Sequence, residues 1–299
     1  MPDLDLSITI CSWNTVDELR DCLASLRAVR GEAAFEVIVV DNASNDGSAD
    51  MVAREFPEFV LIRSQVNLGF TGGHNLALGN CRGRILALLN SDTVVNDGAI
   101  MHVQRFFDQE PAVGIVGPRL LNPDGSLQLS CRTFPNPLAA AFRNTILGRI
   151  FPKNRFLRDY LMTDFAHDQP RTVDWVSGAA LFFRAELMGK IGALDDKFFM
   201  YCEDVDFCRR AWDAGWKVEY LPTAVITHAI GRSSDKAPNR MIARFHLSML
   251  RYYTKHVVSK QTLLLRPALW LFAALALGTR ATIFYLHNRY DRVMRSLKK

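Results

Sequence analysis

The residues of this sequence best placed to do chemistry are polar groups that directly follow apolar, β-like runs. The run at residues 35–40 ends in Asp41-Asn42-Ala43-Ser44-Asn45-Asp46-Gly47, and the run at residues 84–90 ends in Asn90-Ser91-Asp92. The first such run closes on Ser12, Trp13 and Asn14. A carboxylate at the end of a buried strand can accept hydrogen bonds from a ribose or a nucleobase, or ligate a cation, without placing its charge in the core. Asp41 and Asp92 fit that chemistry, and each also fits a turn or a helix cap. A second acidic group, Glu203, Asp204 and Asp206, opens a helical pattern, where the helix dipole favours acids. Asp206 and Arg210 are spaced to pair along one face of that helix.

Alternating elements must hold these groups. Residues 6–13, 35–40, 59–63 and 84–90 read as strands, and residues 15–29, 48–56 and 73–81 as helices, the second capped by Asp46 or Ser48. This alternation predicts an α/β fold, a mostly parallel central sheet flanked by helices. In such sheets ligands bind outside the carboxyl ends of the strands, where the polar groups fall. Residues 135–170 are poor in strand signal and rich in Arg, Phe and Pro, which predicts an excursion over the active side. Strand character returns at residues 173–184, and residues 203–214 read as a helix.

A chain of 299 residues that is 49% apolar can bury a sizeable core. Six cysteines, Cys11, Cys22, Cys81, Cys131, Cys202 and Cys208, show no zinc or redox spacing and read as reduced core thiols of a cytosolic protein. The N-terminal residues lack the basic start and apolar run of a secretory signal. The net charge of +5 conceals an asymmetry: from Arg240 to Lys299 there are 12 Lys/Arg and one acid, Asp291, against 24 basic and 30 acidic residues elsewhere. Within this tail, residues 267–279 form an apolar run closed by Arg266 and Arg280 and resumed at residues 283–286. The run is shorter than the roughly 20 residues a spanning helix needs. It reads as a helix lying in the headgroup region of a membrane, with packing on the domain or on a second copy of the chain, a homodimer, as alternatives. No nucleic-acid partner is expected, because the bases are spread around apolar helices without a binding motif.

Taken together, VIVVDNASNDGSAD, NLGFTGGHNLAL, LALLNSDTVV and MYCEDVDFCRRAW closely resemble family-2 glycosyltransferases of the GT-A fold. The resemblance is strongest to the bacterial rhamnosyltransferase-like branch that builds cell-surface polysaccharides, and it covers about residues 5–232. It implies a GT-A domain over residues 1–235, with about 1–120 for the donor and about 121–235 for the acceptor side and base, followed by a basic, apolar helical tail at 236–299. It also implies transfer of a sugar from a nucleoside-diphosphate donor to a hydroxyl of a glycan or polyprenyl-linked acceptor at the cytoplasmic membrane face, with Mg2+ or Mn2+ neutralising the departing diphosphate. The branch points to dTDP-L-rhamnose as donor and leaves UDP-sugars open. Transfer by a single displacement would invert the anomeric centre, and without a QxxRW segment one sugar per acceptor is expected.

Carried onto residues, the resemblance puts Asn90-Ser91-Asp92 at the family's DxD position, with Asn90 in place of the first acid, so Asp92 supplies the only carboxylate there. His228, within Thr227-His228-Ala229-Ile230-Gly231, matches a histidine that completes the metal shell, and a structural histidine is the alternative. Asp41 matches the residue that reads the uracil or thymine ring or its ribose, with Ser12 and Asn14 beside it. Asn67, Gly69, Gly72, Gly73 and Asn75 match a loop passing close to the nucleotide, in a place and spacing unlike a dinucleotide fingerprint. Asp204 matches the general base, with Glu203 contacting the acceptor or holding the site. Trp175 and Gly178, in Trp175-Val176-Ser177-Gly178, match the acceptor side, and a buried core tryptophan is the alternative for Trp175. Arg232-Ser233-Ser234 could close over the diphosphate. A noncatalytic sugar-nucleotide-binding or scaffold protein would keep Asp41 and could lose the base. A nucleotidyltransferase would show a glycine-rich, basic loop where this chain has Asn14-Thr15-Val16-Asp17-Glu18.

Overall fold

The computed structural model describes residues 4–143, 145–229 and 238–296. Strands β1 (Leu6–Ser12), β2 (Phe35–Asp41), β3 (Val60–Arg63) and β4 (Ile85–Asn90) alternate with helices α1 (Val16–Ala28), α2 (Ser48–Glu55) and α3 (Gly69–Leu78). These strands pair in parallel in the order β3-β2-β1-β4. Their side chains alternate between two apolar layers: Ile85, Ala87 and Leu89 of β4 face the α1 and α2 side, while Leu86 and Leu88 face the other.

The chain continues through β5 (Thr93–Val95), α4 (Ala99–Gln109), β6 (Val113–Leu121) and the short strands β7 (Leu127–Gln128) and β8 (Cys131–Arg132). Three short helices follow, α5 (Pro137–Phe142), α6 (Ile146–Ile150) and α7 (Arg155–Leu161), in the segment expected to be an excursion. Next come β9 (Arg171–Thr172), β10 (Trp175–Val176), β11 (Ala180–Arg184), α8 (Ala185–Ile191), α9 (Glu203–Asp213) and β12 (Lys217–His228). The sheet extends as β4-β11-β6-β12-β5, with β11 and β5 the antiparallel members.

Two local expectations are corrected. The helix expected at 73–81 starts four residues earlier, so Gly72, Gly73 and Asn75 are helical rather than loop. Asn67 Oδ1 accepts from Gly69 N at 2.9 Å and Asn42 Oδ1 from Leu68 N at 2.8 Å, which satisfies amides at this helix start. The strand expected at 173–184 breaks in two at Ser177-Gly178, and its first half pairs with β8 instead of the main sheet. Before α2, Asp46 Oδ1 accepts from Ser48 N.

Helices α10 (Pro238–His256) and α11 (Arg266–Ser296) complete the fold. Tyr252 of α10 is buried in the core beneath α9, and Ser248 Oγ donates to Met200 O. Helix α11 packs along α10 and leaves Trp270, Leu271, Phe272, Leu275, Ile283 and Leu286 exposed. The tail's apolar element is also longer than the sequence run implied: the helix continues through Arg280, and Arg266–Tyr290 is long and apolar enough to cross a membrane by length and composition.

Asp206 joins α9 to α10. It is fully buried and accepts from Arg210 Nε at 2.8 Å, Lys255 Nζ at 2.7 Å and His256 Nε2 at 2.7 Å. Burial alone would raise this carboxyl, but the bonds from His256, Lys255 and Arg210 outweigh it and hold its pKa at about 2. Because the folded value lies below the unfolded one of about 3.9, the cluster's contribution is complete above about pH 4 and is lost as pH falls toward 2. Asp206→Asn leaves three cationic or polar partners facing a neutral amide and should cost about 3 kcal/mol, the low end for a broken buried pair. Urea titrations at pH 7 and pH 3 test this: the deficit should be large at pH 7 and smaller at pH 3, and equal deficits would refute the charge cluster as its source.

Candidate active site

The carboxyl ends of β1, β2 and β4 form one polar floor. Ser12 Oγ, Thr15 Oγ1 and Ser91 Oγ make a buried chain of hydroxyls, with links of 3.0 and 2.9 Å, that ties the end of β1 to the segment after β4. Asn14 adopts φ 54°, and its Oδ1 accepts from Asn45 N at 2.7 Å, fastening this floor to the loop after β2. Asp41 Oδ2 accepts from Ser44 N at 3.2 Å, while its Oδ1 is buried with no partner in the protein. A buried acceptor left open is costly unless a ligand supplies a donor.

Asn42, which the sequence reading passed over, clamps α3 to β2 through Nδ2 to Gly69 O at 3.0 Å. Gly69 has φ 75°, and a Cβ there would meet Phe199 O at 2.4 Å, so only glycine allows this approach. Gly73 faces Cys11 Sγ, which a Cβ would meet at 2.2 Å, and Gly72 packs on Leu68. The side-chain amide of Asn75 is engaged by Leu194 and Asp196, so it braces that loop.

Asp92 and His228 meet because β12 runs antiparallel to β5, with His228 opposite Thr93. His228 Nε2 lies 3.3 Å from Asp92 Oδ1 and 3.2 Å from Asn90 Nδ2. Its other nitrogen, Nδ1, is 2.7 Å from Gln128 Oε1. Gln128 Nε2 donates to Asn122 Oδ1 at 2.9 Å and to His228 O at 3.2 Å, which fixes which end of the amide faces the ring. In the uncharged ring Nδ1 therefore carries the proton, and Nε2 presents its lone pair beside the Asp92 oxygen. Two lone-pair atoms that close repel unless a cation or a proton sits between them. The pair thus suits a hard divalent cation with the remaining ligands drawn from phosphate and water. No third His, Cys, Asp or Glu joins it among the described residues. Arg232-Ser233-Ser234, Ile230 and Gly231 lie outside the described residues.

Glu203 and Asp204 open α9. The two residues before them, Tyr201 and Cys202, both have positive φ, 70° and 66°, an unfavourable conformation that turns the chain sharply into the helix. Asp204 Oδ2 accepts from Gly178 N at 3.0 Å, and Oδ1 from Val205 N at 2.8 Å. A Cβ on Gly178 would press on Asp204 at 3.3 Å. One residue along the same backbone, Ala179 O accepts from Asn90 N at 2.9 Å, which ties the segment that holds Asp204 to the end of β4.

Burial raises the Asp204 carboxyl above its ordinary range, and burial followed by the neighbouring Asp204 pushes Glu203 well up. Glu203 Oε2 is buried without a partner whereas Asp204 has two backbone donors, so of the two carboxyls Asp204 is the better supported as an anion and Glu203 as the neutral acid. Both line a cavity of about 280 Å³ that also includes Trp175, Tyr201 and Ser177. Trp175 is only 6% exposed, and its Nε1 donates to Thr133 O at 2.8 Å, so it forms wall and core at once.

The sequence profile described as "Glycosyltransferase like family 2" matches residues 2–245. The chain belongs to this glycosyltransferase family. A relative in Mycobacterium tuberculosis, N-acetylglucosaminyl-diphospho-decaprenol L-rhamnosyltransferase, is 28% identical over 254 residues, 81% of this chain and 82% of the relative. Among solved structures, a mannosyltransferase from Pyrobaculum calidifontis in complex with GDP-Man and Mn2+ superposes with a TM-score of 0.58 at 17% identity, covering 94% of this chain and 75% of that one. S. aureus TarS residues 1–349 give a TM-score of 0.52 at 14% identity, covering 90% and 79%. The family and the expected GT-A fold with a C-terminal helical tail are thus established, and with them a glycosyltransferase acting on nucleotide sugars.

Gln128 had no sequence signal, since its partner His228 is 100 residues away. In Gln128→Leu the ring loses the acceptor that fixes its tautomer. Histidine 15N shifts should show His228 protonated at Nδ1 in the parent and a tautomer mixture in the variant, and an unchanged spectrum would remove Gln128 from this role.

Proposed function

We propose that this glycosyltransferase moves L-rhamnose from dTDP-rhamnose, with inversion, onto a hydroxyl of a polyprenyl-linked glycan in cell-surface polysaccharide synthesis. The observation that carries the reading is the convergence, at the carboxyl ends of the parallel strands, of an open buried acceptor on Asp41, the Asp92–His228 pair and Asp204 on a cavity wall. The rhamnosyltransferase relative supports the choice of L-rhamnose as the sugar and of a lipid-linked acceptor.

In this reading Asp41 takes a hydrogen bond from the nucleobase or ribose, while Ser12, Asn14, Asn67, Gly69 and Gly72 shape the floor under the nucleotide and Asn75 braces it. A divalent metal, Mg2+ or Mn2+, held by Asp92 and His228 would neutralise the departing diphosphate. The Asn90 amide donates to His228 Nε2 in the metal-free protein and would yield that lone pair to the metal. The acceptor enters the cavity between Trp175 and Gly178, and Asp204 removes the proton from its hydroxyl as the new bond forms on the face of the sugar opposite the leaving group. A carboxyl raised by burial is a stronger base than one in water, which suits proton transfer near neutral pH. Glu203, holding its proton, can donate to the acceptor. With no enzyme nucleophile, one displacement inverts the anomeric centre.

Helix α11 serves as a peripheral anchor on the inner face of the cell membrane. Arg280, in the middle of its apolar stretch, donates to Arg143 O at 2.9 Å and holds the helix against the domain, which favours lying on a bilayer over crossing it. Vesicles containing anionic lipid should carry the protein upward in a flotation gradient and fail to carry a chain truncated before Arg266. A parent protein that stays at the bottom would remove the membrane from the proposal.

Nucleotide release from dTDP-, UDP- and GDP-sugars, with and without Mg2+ or Mn2+, tests the chemistry. Metal-dependent turnover of dTDP-rhamnose that drops at least about a thousandfold in Asp204→Asn, with donor binding retained, is expected for loss of a general base and its charge. Turnover only of another donor would reassign the sugar. Donor binding without turnover, in the presence of a polyprenyl-linked acceptor, would favour a noncatalytic binding protein.

A further inference from the structure

Three arginines converge on the cavity that holds Asp204: Arg132 from β8, Arg143 after α5 and Arg280 from the middle of α11. Among the described residues none of them lies within ion-pair distance of a carboxylate. Their protein partners are few. Arg132 donates one bond to Leu129 O and lies 5.2 Å from the Trp175 ring and 5.9 Å from that of Tyr160. Arg143 donates to the Tyr160 hydroxyl at 3.2 Å, and Arg280 to Arg143 O at 2.9 Å. The Nε atoms of Arg132 and Arg280 are buried with no partner.

Two other partly buried arginines, Arg210 and Arg184, are treated differently, whereas Arg119, outside the cavity, shares a buried Nε without a partner. Arg210 meets Asp206 and the carbonyls of Ile191 and Ala193, and Arg184 meets the carbonyls of Val113, Phe107 and Glu110. The cavity arginines also repel one another: burial, then the charge of Arg132, pushes the Arg143 guanidinium down. Asp204, in the same cavity and stabilised by the charge of Arg132, offsets only part of this, so three guanidiniums leave an excess of positive charge that is unfavourable for the protein alone and favourable around a polyanion, whose oxygens a guanidinium fork matches in charge and geometry.

We propose that Arg132, Arg143 and Arg280 seat the diphosphate of the acceptor, the group that joins the acceptor sugar to its isoprenoid lipid. This rests on the acceptor reading above. The donor's diphosphate has its own place beside Asp92 and His228, on the sheet, whereas the three arginines come from the excursion and the tail. Asp204 lines the same cavity, so an acceptor held by its diphosphate on the arginines can present a sugar hydroxyl to the base. The remaining lining includes Tyr201, Phe245 and Met249, apolar surface that the first isoprene units can cover. Arg280 belongs to the helix whose exposed apolar side chains face outward, so the lipid would leave the pocket beside the element that meets the membrane.

Geranyl diphosphate, a soluble isoprenyl diphosphate without a sugar, is the probe. Titrated calorimetrically into the full chain saturated with dTDP and Mg2+, it should bind saturably, and geraniol should not. Arg143→Gln and Arg280→Gln should each weaken binding about tenfold or more, with dTDP affinity unchanged, while Arg143→Lys keeps most of it. Arg143→Gln should melt at or above the parent temperature, because it removes one of three mutually repelling charges; Arg280→Gln also loses the bond to Arg143 O that holds α11, so the binding result is read first from Arg143→Gln. Equal affinities for geranyl diphosphate and geraniol would overturn the proposal, as would unaltered binding in the variants. Displacement of the probe by dTDP, with weaker dTDP binding in the variants, would assign the arginines to the donor instead and equally overturn it. The probe carries no sugar and undergoes no transfer, so an error in the transferred sugar or in the base leaves this result intact, and if another nucleoside diphosphate binds in place of dTDP it takes dTDP's part in the titration. Conversely, full turnover with unaltered probe binding in the variants would sink only the diphosphate seat.

Discussion

The buried carboxylate of Asp206 is the fixed point from which the cavity wall carrying Glu203 and Asp204 is built. It pins the first turn of α9 to α10 through Lys255 and His256, and Arg210 extends the same cluster to the carbonyls after α8. Against that anchor the chain can enter α9 through two consecutive left-handed residues, Tyr201 and Cys202, a conformation that costs roughly 1–2 kcal/mol per residue. The return is geometric: Glu203 and Asp204 emerge at the cavity wall instead of on the solvent face of the helix. A glycine at either position would relieve the strain, but the side chains present have other work, since Tyr201 lines the cavity and Cys202 packs on Met249.

Around the site, buried polar groups fall into two populations, while Thr71, His74, Arg119, His167 and His246 also carry a buried atom without a partner elsewhere. The Asp206 cluster and the Ser12–Thr15–Ser91 hydroxyl chain are satisfied within the protein, and their effect is to hold positions. Asp41 Oδ1, Glu203 Oε2 and the Nε atoms of Arg132 and Arg280 are buried without partners, and all of them border the floor or the cavity. Unpaired groups of this kind reduce stability by an amount the rest of the fold must offset, and they persist where a ligand completes them.

Much of this was legible in the sequence because it depends on short-range pattern. The β-α alternation, the polar ends of β1, β2 and β4, and the acidic start of α9 each lie within a dozen residues. The Asp206–Arg210 pair follows from helical spacing alone. What escaped was fixed by contacts distant in the chain. The early start of α3 depends on Asn42 reaching the 67–69 segment, which no local propensity encodes and which the glycines there argue against. Gln128 is identified only by the ring it orients. The length of α11 was underestimated because Arg280 read as a terminator of the apolar run, whereas in the fold it is partly withdrawn from solvent and bonded to Arg143 O.

That misread arginine links the two ends of the molecule's chemistry. A charged residue in the middle of an apolar helix would be expensive in hydrocarbon, and here it is turned inward, toward the cavity, while the apolar residues on either side face out. The helix therefore has an orientation set by electrostatics before any membrane is present. Its outward face is what a bilayer would cover, and its inward face completes the pocket that ends at Asp204. Because one rigid element supplies both faces, engagement of a surface and the shape of the acceptor pocket cannot vary independently. Under the proposed function, a lipid-linked substrate would approach Asp204 from the side that the helix presents to the membrane.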